Sequence, residues 1–180
     1  MMHKGMLWMS ALALVATLTV ATPASAQETE LQGFTVSAGV FYPTKSAVRK
    51  ATNDVWFNIN LGYTFQTSEP NESGYYYDLG VLVGYYGSDD IYNIPVLATL
   101  TGYVNPQFFY RAGLGIGFTK QFRTGFTGGT RNETNFAYMV ELGYNFNTGA
   151  TPISLTVGYQ GVSGARDQFT GFTVGLLLRF

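Results

Sequence analysis

The chain has 180 residues, a formal net charge of −1, no cysteine and a single histidine, His3. Charged residues make up 12% of it and aromatics 16%, against about 25% charge in ordinary soluble domains. That balance argues against a water-soluble domain, and the missing thiols exclude disulfides and thiolate metal sites.

Met1 to Gly5 carries one lysine, Met6 to Val20 is an apolar run, and Ala24-Ser25-Ala26 offers a small-residue cleavage site. This is the layout of a secretory signal peptide. An uncleaved anchor is the rival reading, but the run falls short of the ~20 apolar residues a helical span needs. The expected organisation is therefore a signal peptide over 1–26 and one domain over 27–180. No later segment is long and apolar enough for a helical span.

The remainder alternates with period two, so each segment has one apolar parity. The first strand sets Phe34, Val36, Ala38, Val40 and Tyr42 against Thr35, Ser37, Gly39 and Phe41. The second runs Val55 to Phe65, with Trp56, Asn58, Asn60 and Gly62 opposite its apolar side. The third places Tyr75, Tyr77, Leu79, Val81, Val83 and Tyr85 opposite Tyr76, Asp78, Gly80, Leu82, Gly84 and Tyr86. In the fourth, Tyr92 to Thr101, Pro95 removes a ladder donor and predicts a bulge, while Tyr103 has the wrong parity for the apolar face. The fifth (Phe108 to Phe118), sixth (Phe136 to Phe146) and seventh (Ile153 to Gln160) resume the pattern. The last carries Phe172, Val174, Leu176, Leu178 and Phe180 on one side, with Arg179 on the other.

The apolar faces are also sorted along their length. Tyr75 and Tyr77 precede Leu79, Val81 and Val83, and Tyr85 follows; other strands repeat this in part. Rings favour the two membrane interfaces and aliphatics the hydrocarbon, so the order predicts a double aromatic girdle. An even count of eight strands fits a closed antiparallel up-and-down transmembrane β-barrel. Inner turns are expected at Gln66 to Ser73, Val104 to Pro106 and Asn147 to Thr151. Outer loops are expected at Pro43 to Asp54, Gly87 to Ile91, Lys120 to Glu133 and Val162 to Gln168.

With its terminal aromatic strand and signal peptide, the mature chain resembles the small eight-stranded outer-membrane β-barrel family, similar to the OmpA transmembrane domain and to OmpX-type barrels. The resemblance implies export through the periplasm to the outer membrane of a Gram-negative-type bacterium. It also implies that assembly machinery reads the Phe172, Val174, Leu176, Leu178, Phe180 face. No peptidoglycan-binding domain follows Phe180, so that anchoring role is not carried over.

An eight-stranded interior is just wide enough for side chains to fill. The inward parity includes Trp56, Tyr76, Tyr86, Phe41, Phe109, Leu82, Leu97, Met139 and Leu177, which predicts a plugged lumen rather than an open pore. Gly113, Gly115 and Gly117 either leave a narrow cavity or make room for rings from facing strands. Asp78, Arg111, Glu141 and Arg179 also point inward, and buried charges persist only when paired. Arg111 is expected to pair with Glu141, with Asp78 in reach across the lumen. The network is read as a static lock, with a gate for a narrow solute channel as the alternative.

Outer loops hold Lys45, Arg49, Lys50, Lys120, Arg123, Arg131 and Arg166, which could grip lipopolysaccharide phosphates or simply be solvated. Barrel enzymes of this size that modify lipid A use histidine, and His3 lies in the segment to be removed, so a Ser–His arrangement cannot be assembled. The Gly-x-Gly-x-Gly run at 113–117 is strand, not a nucleotide fingerprint. The reading is a monomeric barrel with a structural or surface-interaction role, lipid partners, no nucleic acid, no cofactor and no catalysis.

Overall fold

The computed structural model describes residues 33–88, 90–123, 129–146, 151–164 and 167–180. The signal peptide over 1–26, Arg166, and Asn147 to Ala150 of one expected inner turn lie outside the described residues. The rest form a closed barrel of eight strands: β1 (Phe34–Pro43), β2 (Trp56–Thr67), β3 (Tyr76–Ser88), β4 (Ile91–Tyr103), β5 (Phe108–Phe122), β6 (Thr130–Asn145), β7 (Ile153–Val162) and β8 (Gly171–Arg179). Each strand pairs antiparallel with its sequence neighbours, and β1 closes on β8 from Thr35↔Arg179 to Pro43↔Gly171. Closure leaves no open sheet edge along the shared length of the strands.

The period-two pattern sorts side chains as the alternation requires. Leu61, Leu114, Val140 and Phe172 point outward and are exposed, whereas Phe41, Leu82, Leu97 and Met139 point inward and are buried. Of the terminal strand's apolar set, Phe172, Val174 and Leu176 are exposed, but Leu178 is buried between its register partners Val36 and Ile153.

Four local features differ from the sequence-based expectation. Pro95 causes no bulge: the β4–β5 register runs unbroken through Pro95↔Gly117, and β3–β4 resumes in the same register after skipping Gly84 and Tyr85. Gly84, with no Cβ, leaves space for the pyrrolidine ring. The bulge lies in β2 instead, where Thr64 pairs with Gly80 and Gln66 with Leu79, so Phe65 is the extra residue. Thr67 then faces inward opposite Asp78 rather than outward with Tyr63.

The loop after β1 contains one short helix, α1 (Ser46–Ala51), which periodicity could not reveal at that length. Finally, half of the expected Lys120 to Glu133 loop is strand, because β5 and β6 stay paired up to Phe122↔Thr130. The glycine run in β5 is filled, though not by facing rings. Leu97 and Met139 occupy the space beside Gly113, and the Asn93 amide that beside Gly117.

Candidate functional site: the lumen and its loop rim

Inward positions of five successive strands form one register row: Thr67↔Asp78, Asp78↔Thr101, Thr101↔Arg111 and Arg111↔Glu141. Three of the four charges predicted for the lumen, Asp78, Arg111 and Glu141, thereby share one level near its short-turn end, and Arg179 lines the same cavity wall as Asp78 and Arg111. Arg111 Nη1 stands 3.7 Å from Glu141 Oε1, with both side chains almost wholly buried. Arg111 Nε also donates to Thr101 Oγ1 at 3.3 Å. Asp78 does not take a guanidinium. Its two oxygens accept hydroxyls, from Thr67 Oγ1 and Tyr103 OH, each at 2.8 Å.

Arg179 is held by ring faces rather than by a carboxylate. Its guanidinium lies 4.9 Å from the Tyr103 ring centroid and 5.4 Å from that of Phe109, distances at which the ring quadrupole attracts a cation. Tyr103 in turn stacks on Tyr76 at 4.3 Å, and Arg111 lies 5.9 Å from the Phe109 centroid. Rings and cations therefore alternate across this mouth. Sequence reasoning missed Thr67, Thr101 and Tyr103 as parts of the network. The available signal was the inward parity of Thr101 and Tyr103.

At the long-loop end the lumen holds an aromatic cluster. Phe41 lies 5.3 Å from Trp56 and 4.7 Å from Tyr86. Phe169, fully buried, reaches in from the β7–β8 loop, and Tyr86 OH donates to its carbonyl at 3.0 Å. Val48 of α1 joins the same cluster. The loop is fastened on both sides of Phe169. Thr44 donates to Thr170 O at 3.0 Å, while Gln168 Oε1 accepts from Phe122 N at 3.1 Å and its Nε2 donates to Phe122 O at 3.3 Å.

The basic rim residues fall into two groups on different strands. Lys45, Arg49 and Lys50 belong to the loop after β1, and Lys120, Arg123 and Arg131 to the β5–β6 hairpin. Arg49 is engaged locally: Nη1 donates to Pro43 O at 2.6 Å and Thr44 O at 2.8 Å, and its guanidinium lies over Tyr42. Arg131 Nη2 is 2.8 Å from Glu133 Oε1. Lys50 and Arg123 are exposed.

No model of a known protein family matches the chain, and no curated protein matches its sequence. Solved structures do match. The crystal structure of the outer membrane enzyme PagL is similar over 81% of this chain and 98% of its own, with 15% identity and a TM-score of 0.54. A de novo designed transmembrane β-barrel is similar over 86% of this chain and 100% of its own, with 15% identity and a TM-score of 0.49. The Yersinia pestis outer membrane protein Ail matches over 83% of this chain and 99% of its own, with 18% identity and a TM-score of 0.46. The chain thus has the fold of the small eight-stranded outer-membrane β-barrels.

Proposed function

We propose that the protein is a monomeric, non-catalytic barrel of the outer membrane whose lumen is closed by its own side chains, with a structural or surface-interaction role. The long-loop end would face outward and the short turns the periplasm. The observation that carries this reading is burial at successive levels of the interior. Trp56, Tyr86 and Phe169 lie at one end, Leu82, Leu97 and Met139 between, and Tyr103 with Phe109 at the other. The exposed apolar exterior supports membrane residence. In planar bilayers the purified wild type is expected to give no steady unitary conductance. Regular single-channel steps would instead favour a narrow channel gated by Asp78, Arg111, Glu141 and Arg179, and Arg111 and Glu141 variants would then change step size or open time.

The surface role rests on the exposed cations of the rim. With Arg49 and Arg131 engaged by neighbours, Lys50 and Arg123 are the stronger candidates for lipopolysaccharide phosphates. Replacing both by Gln is expected to weaken lipopolysaccharide binding several-fold at low salt and little at high salt. Unchanged binding at low salt would remove them from the role.

A further inference from the structure

We infer that the lumen is wetted from its short-turn end as far as Arg111 and sealed only beyond it, making the barrel a cup open to the periplasm that holds water among its charges. This rests on the closed-lumen reading and adds where the closure lies. A cavity of about 10 Å³ opens beside Asp78, Thr99, Thr101, Tyr103, Arg111 and Arg179. That is room for about one water molecule, and the walls offer it both donors and acceptors.

One polar atom of the cavity wall needs such a partner: Arg179 Nη2 is shielded from bulk solvent and meets no protein hydrogen-bond partner. Glu141 Oε1, behind Arg111, is likewise without one. The Arg111–Glu141 separation of 3.7 Å is too long for a direct hydrogen bond, so both groups keep capacity for a water beside the pair. An unsatisfied buried polar atom costs about 1–3 kcal/mol, more when charged, so water at this point stabilises the whole row. Arg179 itself is only partly buried at the rim, which gives the periplasm a route in.

Above this level the lining changes. Leu82 forms part of the cavity wall, and Leu97, Ala137 and Met139 are buried around it. The ring cluster with Val162 follows. Unpartnered polar atoms recur at and beyond that level, on Gln160, Asn58, Asn93 and Gln121, so the apolar side chains of the belt themselves are what separates the wet end from them.

The cysteine-free sequence makes single-thiol probing by silver ion a clean test, because Ag⁺ is small enough to follow water. Thr101→Cys lines the cavity, and Val162→Cys sits in the ring cluster; both substitutions are nearly isosteric. In the folded, detergent-solubilised full chain, Thr101→Cys is expected to lose its titratable thiol to Ag⁺ at least tenfold faster than Val162→Cys. Equal rates, whether both fast or both slow, would overturn the inference. Cold-gel mobility checks that each variant is folded, and Thr99→Cys replaces Thr101→Cys should the latter misfold. Conductance by the wild type would defeat the closed-lumen reading separately, whereas a silent wild type with a protected Thr101→Cys would defeat only the cup.

Discussion

Arg111→Ala is expected to lower the unfolding free energy by about 3–5 kcal/mol, the usual cost of breaking a buried ion pair from one side. Urea titration of the barrel in lipid vesicles, read by tryptophan fluorescence and gel mobility, would measure it. The substitution leaves Glu141 buried without its cation and removes the donor to Thr101 Oγ1. It also strips one face of Phe109 of its guanidinium. Replacing both partners, Arg111→Met with Glu141→Leu, should restore most of the loss, because removing two buried charges together also removes their desolvation cost. An Arg111→Ala barrel as stable as wild type would mean that the row contributes nothing.

Trp56→Ala is expected to cost a similar amount, about 3–5 kcal/mol for truncating a large buried ring, and to act at the opposite end. Trp56 packs on Phe41 and Phe169, and its indole Nε1 donates to Asn53 O at 2.9 Å and Thr52 Oγ1 at 3.1 Å. One side chain therefore holds both the ring cluster and the residues just after α1. Its loss should loosen the outer closure but leave the Leu82, Leu97 and Met139 level in place, so stability falls while the bilayer record stays silent. The outward-facing Leu114→Ala should cost far less stability. A Trp56→Ala barrel as stable as wild type would mean that the ring cluster contributes nothing to holding this end.

The wall of the barrel was legible because alternation is repeated residue by residue: each strand position carries its own vote for inside or outside. The partners of the lumen charges were less so. Arg111 and Glu141 fall opposite each other once the β5–β6 register is set, and that register follows from the apolar parity. Asp78 was expected to answer an arginine across the lumen, yet it is bound by Thr67 and Tyr103. Thr67 reaches it only through the extra residue Phe65, and a single bulge leaves no mark in an alternating sequence. Tyr103, which breaks the expected girdle, did carry a signal, since its parity directs it inward to Asp78. The helix after β1 and the local engagement of Arg49 depend on loop geometry that no short-range pattern encodes.

The two bonds from Gln168 to the Phe122 backbone have a mechanical consequence. They tie the end of β5 to the residue preceding Phe169, which is buried in the lumen against Trp56 and Tyr86. A load on the end of β5 is therefore shared with the segment that carries Phe169 into the ring cluster, and displacing that end strains or breaks the two bonds.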